Sequence, residues 1–327
     1  MTARFVSIPP DSAELIRVAG QGGVRLNLYR LHAARNGGPV VLWGHCGGFA
    51  AGSYLPLLRQ LADEAEVYAF DARGHGGSDA LLPDEPIADA LSVPAYHPDR
   101  FALDLAAIAE AVADRTGGRP IHYVAHSLNA VAVLRLGCRF PDRYAALPFR
   151  SLLLFEPALF PSADSPVHAE AMEKNAALVV RTRVRRRVWS SVEDYADYLR
   201  ARRPFTDFTE PMLAAHARAT ARPASDGGCE LACRPEIEAT MFSIFATDTA
   251  DSTFRLLPRF PSEPRVRLVS GDPDAGPDRD WVTAAISFAA HRLANVAFEV
   301  WRERGHMMVF EAPERALSQV REQLAMS

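Results

Sequence analysis

The sequence predicts an α/β fold, a mostly parallel sheet with helices on both faces, and three observations predict it. Short continuous apolar runs recur at residues 40–43, 67–70, 121–125 and 152–155, as in strands buried on both faces. Between the second and third runs, Phe101, Leu105, Ile108 and Val112 repeat at intervals of four, three and four residues, which places one apolar stripe of a helix against the sheet. Finally, Val-Ala-His-Ser-Leu-Asn-Ala at residues 124–130 directly follows an apolar run, so a short buried strand stops at a serine and turns into a helix. Strands alternating with helices in this way imply right-handed crossovers.

In chain order, residues 24–31 alternate apolar and polar side chains and read as a half-exposed strand ahead of the buried runs. The alternation of strand and helix stops near Phe160 and resumes with an apolar run at residues 266–269. A helix over about residues 278–293, a strand at 296–301 and a last helix from Pro313 complete it. Residues 162–264 lack a clear strand, and carry helical stretches such as 192–202, several prolines and an arginine-rich run at 181–187. They read as a mostly helical lid over the C-terminal edge of the sheet, where ligands of open α/β sheets bind. The chain then divides into a core of residues 1–161, a lid of 162–264 and the rest of the core at 265–327. The arginine run reads as a solvated lid surface, with an acidic substrate group as its alternative partner.

With 327 residues, 48% hydrophobic and 23% charged, the composition is that of a soluble globular protein with a large core. A net charge of -4 gives no reason to expect nucleic acid or an anionic membrane as partner. The first thirty residues lack the pattern of a signal peptide, and no stretch of eighteen apolar residues occurs, so a cytoplasmic location without stable membrane insertion is expected. Cys46, Cys138, Cys229 and Cys233 are too scattered for a disulfide framework. Cys229 and Cys233 have no second Cys/His pair nearby and read as free thiols. Monomer and homodimer are both compatible with the chain.

Ser127 is the nucleophile candidate. A strand-to-helix turn this tight strains its central residue and lifts the hydroxyl clear of the backbone, which demands small neighbours two positions away. Ala125 meets that demand, whereas Asn129 stands where glycine is usual. After the run at 40–43 comes Gly44-His45-Cys46-Gly47-Gly48-Phe49, a glycine-rich loop whose Gly47 N–H, paired with that of Leu128, would form an oxyanion hole. After the run at 266–269 come Asp272 and Asp274, two carboxylates at a strand mouth. Asp274 is preferred as the acid, because the third residue past Gly271 has left the strand and can reach sideways. His306, past the strand at 296–301, completes the order serine, acid, histidine, each after a successive strand. His45, Cys46, Gly48, His126 and Asn129 adjoin these positions and are expected at the substrate pocket.

These residues resemble the α/β-hydrolase superfamily over essentially the full length of the chain. Asp71-Ala72-Arg73-Gly74-His75-Gly76-Gly77-Ser78 is similar to the family's Asp-x-Arg-Gly-x-Gly-x-Ser segment after the fourth strand, and His45 matches the histidine of its oxyanion loop. The lid resembles that of peroxisomal-lipase-like and related bacterial hydrolases, through the arginine run with Trp189-Ser190-Ser191, Arg203-Pro204-Phe205 and Cys233-Arg234-Pro235-Glu236. The resemblance implies an α/β-hydrolase fold with a mostly parallel eight-stranded sheet, and a serine hydrolase needing neither cofactor nor metal. The expected partner is a small-molecule ester, thioester or lactone. Some members draw the acid from the end of the sixth strand, which makes Glu156 an alternative to Asp274, although it reads first as a brace of the lid hinge. A lyase, cyclase or acyltransferase of the same fold is the alternative chemistry, and a binding module without turnover the alternative function.

Overall fold

A computed structural model of the chain describes residues 5–32, 38–82, 87, 91–225, 227–272 and 281–326. Its strands are β1 (Ala13–Ala19), β2 (Arg25–Leu31), β3 (Val40–Gly44), β4 (Glu66–Asp71), β5 (Ile121–His126), β6 (Phe149–Phe155), β7 (Val188–Trp189), β8 (Ala221–Pro223), β9 (Cys229–Leu231), β10 (Val266–Gly271) and β11 (Val296–Trp301). The helices used below are α1 (Leu55–Ala62), α2 (Pro98–Thr116), α3 (Leu128–Arg139), α4 (Pro141–Ala145), α5 (His168–Arg183), α6 (Val192–Arg200), α7 (Glu210–Thr220), α8 (Pro235–Ser252), α9 (Trp281–Ala290), α10 (Met308–Glu311) and α11 (Pro313–Ala325). Eight strands form one sheet in the order β1-β2-β4-β3-β5-β6-β10-β11. Neighbours from β4 to β11 run parallel, while β2 lies antiparallel to β1 and β4. This is the α/β-hydrolase fold.

Apolar residues cover both faces of the sheet, as the continuous runs in β3 to β6 require. On one face Leu105 and Ile108 of α2, Val131 of α3 and Ile286 of α9 share a core with Leu42, Tyr123 and Leu154 of the strands. On the other, Leu58 of α1 and Leu317 of α11 pack with Val41, Trp43 and Val124. Among the described residues no helix is long and apolar enough to cross a membrane.

Three local features depart from the sequence expectation. The edge strand β1 was not expected, because its burial alternates around exposed charged residues such as Glu14 and Arg17, the manner of a protected sheet edge. β2 is mostly buried rather than half-exposed. Its polar Asn27 and Tyr29 face an internal network, in which the Tyr29 hydroxyl donates to Asp71 at 2.8 Å and Asn27 Nδ2 to the Tyr29 oxygen at 2.9 Å. Between β6 and β10 the chain is not free of strands: α5 to α8 are accompanied by a small antiparallel sheet, β7-β9-β8, whose strands of two or three residues are too short to show a period. All four cysteines are free thiols.

The segment after β4 anchors the loops above the sheet. Asp71 accepts from Ser7 Oγ at 2.7 Å and from the backbone N–H groups of Ala51 and Gly77 at 2.9 Å each. Arg73, buried, donates through Nε and Nη2 to both oxygens of Asp104 on α2, at 2.7 and 2.8 Å. Such a fork pairs geometry with charge and leaves neither ion unpaired.

Asn129 is fitted against β3 by a glycine. A Cβ placed on Gly44 would lie 2.6 Å from Asn129 Cβ and 2.7 Å from the Tyr123 hydroxyl, closer than van der Waals contact permits. Gly44→Ala is therefore expected to lower stability by about 1–3 kcal/mol, the range for overpacking a dense core. Part of that loss should return in the Gly44→Ala/Asn129→Gly double variant, as read by denaturant unfolding. Equal losses in the two backgrounds would refute the steric coupling.

Candidate active site

The elements carrying reactive groups all deliver them at the C-terminal ends of parallel strands. Ser127 follows β5, the loop 45–49 follows β3, Glu156 follows β6 and His306 lies beyond β11. Since β3, β5, β6, β10 and β11 are consecutive in the sheet, these ends share one rim.

Ser127 has φ 56° and ψ −109°, in the left-handed half of the map that a non-glycine residue enters at a cost. The turn leaves its hydroxyl 3.0 Å from His306 Nε2. The other nitrogen of His306, Nδ1, lies 3.1 Å from Glu156 Oε2. Serine, imidazole and carboxylate thus form a continuous hydrogen-bonded chain from residues far apart in sequence.

Among the described residues, the carboxylate in that chain is Glu156. Asp274 lies outside the described residues, and Asp272 has its carboxylate 3.9 Å from Arg302. Glu156 is fully buried, has φ 47° and follows β6, the strand paired with β5, which leads into Ser127. Its backbone N–H donates to Val269 O at 2.9 Å and its Oε1 accepts from the Gly271 N–H, so β10 holds the carboxylate with its second oxygen toward the imidazole. A glutamate directly after an apolar strand and before Pro157 was the available signal.

The loop after β3 is tied down amide by amide. Cys46 N donates to the Tyr54 hydroxyl at 3.1 Å, Gly48 N to His75 Nε2 at 3.0 Å and Phe49 N to Cys46 O at 3.2 Å. Among the described residues no protein acceptor takes the Gly47 N–H, nor that of Leu128, which opens α3. A Cβ on Gly47 would lie 3.8 Å from Leu128 Cβ, so the two amides are neighbours. Asn129 Nδ2 donates to His45 O at 2.7 Å and so braces this loop from the first turn of α3.

Three buried histidines serve the scaffold. His45 accepts from Ala72 N at 2.9 Å and faces Cys46 O at 2.7 Å, while His75 accepts from Gly48 N. Burial pushes both imidazoles down to about 4, so they remain neutral near pH 7. His126 takes the Tyr54 hydroxyl at Nδ1 (2.8 Å) and donates from Nε2 to His306 O (2.8 Å). Burial first, then the neighbouring His306, pushes it down to about 3. Cys46, His126 and His306 bring metal-ligand atom types within 4.8 Å of one another, but both His126 nitrogens are engaged in these bonds.

His306 differs. Burial alone would lower its pKa, but the Cys46 sulfur, 4.0 Å from Nε2, and the Glu156 carboxylate outweigh burial and hold it well above the usual imidazole value. Opposite charge close by favours the protonated form.

A cavity of about 500 Å³ opens over this chain of groups, with Cys46, Gly47, Ser127 and His306 in its wall. Of the five expected pocket residues only Cys46 lines it. His45, His126 and Asn129 are fully buried beneath, hydrogen-bonded to the loops, and Gly48 is taken up by His75. Apart from Phe49 and Met307, the remaining wall comes from residues between β6 and β10, among them Arg181, Arg185, Trp189, Tyr195 and Phe242. These were missed because which face of each short helix turns inward depends on packing. The arginine run is only partly the solvated surface expected, since Arg181 and Arg185 line the cavity.

No curated protein matches the chain in sequence. Among solved structures, E-2-(acetamidomethylene)succinate hydrolase is 20% identical with a TM-score of 0.69, over 95% of this chain and 98% of that one. The peroxisomal alpha-beta-hydrolase Lpx1 of Saccharomyces cerevisiae is 15% identical with a TM-score of 0.66, over 96% and 89%. A thermophilic esterase from Thermogutta terrifontis is 19% identical with a TM-score of 0.60, over 96% and 99%. At these identities the likeness is one of fold. The sequence model of the alpha/beta hydrolase family matches residues 32–320, most of the length, and the chain belongs to that family.

Proposed function

We propose that the protein is a serine hydrolase that cleaves an ester, thioester or lactone of small to medium size through an acyl-enzyme. The observation that carries this reading is the Ser127–His306–Glu156 chain, with contacts of 3.0 and 3.1 Å, at the floor of a cavity. A serine hydroxyl is a weak nucleophile near neutral pH and needs a neutral imidazole to take its proton as it attacks. His306 Nε2 is that base. Glu156 accepts the Nδ1–H, which fixes the tautomer and stabilises the imidazolium formed on attack. The charge developing on the carbonyl oxygen meets the N–H groups of Gly47 and Leu128. His306 then returns its proton to the leaving group, and water repeats the sequence to release the acid. The segment of residues 162–264 acts as the cap that shapes the acyl site.

The direct test is a fluorophosphonate probe. It should label the protein at Ser127, as located by peptide mass spectrometry, and Ser127→Ala should abolish labelling while retaining the fold by circular dichroism. Absence of labelling in the folded wild-type protein would overturn the reading. Labelling without hydrolysis across a chain-length series of esters and thioesters would replace hydrolysis by acyl transfer or a related reaction.

The pH profile follows from the charge around His306. The base must be neutral, and its pKa is held above the usual imidazole value, so the acid limb of kcat/KM should have its midpoint above about 6.5, the ordinary imidazole value. Glu156→Gln removes the negative charge that favours the imidazolium. It should move that limb to lower pH and reduce kcat by about 10²–10⁴-fold, the scale for a mispositioned base. An unchanged limb in Glu156→Gln would refute the assignment of the acid.

A further inference from the structure

The cavity has a charge that ester cleavage alone does not require. Four arginines, Arg181, Arg185, Arg202 and Arg203, line it, against a single carboxylate, Glu238. Glu238 projects from α8, is buried, and is already paired with Arg185. Arg202 lies with its guanidinium carbon 3.6 Å from the Tyr198 ring centroid and donates to Tyr198 O at 3.0 Å. Among the described residues, neither it nor Arg181 nor Arg203 has a carboxylate partner. Other arginines of the same stretch do, Arg186 with Asp194 at 3.3 Å and Arg187 with Glu230 at 3.1 Å. Among the described residues, three of the four arginines that line the cavity are thus without an acid partner.

Two buried donors in the wall are also left over. Arg185 Nε and Trp189 Nε1 have no hydrogen-bond partner, although Trp189 is only 2% exposed, and one acceptor of the wall, Asn175 Oδ1, has none either. Buried polar groups are almost always paired, and what the two donors lack is an acceptor. Much of the rest of the wall is aromatic, including Tyr195, Phe205 and Phe242, so an anion entering past the exposed Arg181, Arg202 and Arg203 meets cations whose field the apolar walls focus into the cavity.

We infer that the substrate carries a carboxylate remote from its scissile carbonyl, and that the cap arginines hold this carboxylate while the carbonyl is presented to Ser127. The arginine fork matches a carboxylate in shape as well as charge. The inference rests on the proposed hydrolysis for the second half of that statement and on the cavity alone for the first, so two measurements separate them. In the first, the methyl half-ester of adipic acid is compared with its neutral carboxamide isostere. The half-ester should show a kcat/KM about tenfold or more higher at low ionic strength, as expected for a charge-assisted contact. That ratio should shrink with added salt and fall toward one in Arg181→Gln/Arg203→Gln. In the second, binding of adipate and of adipamide to Ser127→Ala is measured by calorimetry, which needs no turnover, and adipate should bind about tenfold more tightly or better. Equal binding of the two, or none of either, overturns the anion site even if Ser127 is labelled by fluorophosphonate. Failure of labelling with adipate still preferred overturns the hydrolase reading and leaves the anion site standing.

Discussion

Two hydrogen bonds, one to its side chain and one to its backbone, position His306, and the geometry of the site depends on both. One joins Nδ1 to Glu156 at 3.1 Å, the other joins the His306 carbonyl to His126 Nε2 at 2.8 Å. His306 belongs to the short stretch between β11 and α10, which has little secondary structure of its own to restrain it. Its side chain is referred to β6 through Glu156, and its backbone to the end of β5 through His126. The same strand end leads into Ser127, so the serine and the histidine share a support. A cooperative run of bonds extends this frame further: Cys46 N to the Tyr54 hydroxyl, the hydroxyl to His126, and His126 to the loop of the base.

The electrostatic division among the histidines follows from burial and partners. At His45, His75 and His126 desolvation is the largest influence and keeps them uncharged. His306, with a carboxylate on one nitrogen, is the imidazole of this group whose charged form is favoured. A proton delivered to the site therefore has one preferred resting place. That selectivity arises from the Cys46 sulfur and the Glu156 carboxylate beside His306, since all four rings are largely withdrawn from water.

Much of this was legible beforehand where a residue's role is decided by local chain geometry. The buried runs that became β3 to β6, the elbow at Ser127, the loop at Gly47 and the place of His306 all follow from periodicity and turn chemistry. The acid was not so determined, because Asp272, Asp274 and Glu156 each follow a strand, and which one reaches the imidazole depends on strand order and on a backbone turn at residue 156. Between β6 and β10 the limits were different in kind. The strands of the small sheet are too short to carry a period, and α5 with the turn after it directs Arg181 and Arg185 toward the cavity for reasons of tertiary packing. Asn129 stood out against the usual glycine, yet its accommodation required Gly44 across the rim.

That accommodation has a mechanical consequence. By reaching from the first turn of α3 to the carbonyl of His45, the Asn129 side chain fastens the two backbone segments that present the Gly47 and Leu128 amides. In the proposed reaction these amides need no separate search for their working separation, because any outward swing of one segment breaks a buried bond of 2.7 Å. The residue that looks like a defect in the turn is thus a strut, and the reorganisation a looser rim would undergo at each turnover is completed once, during folding.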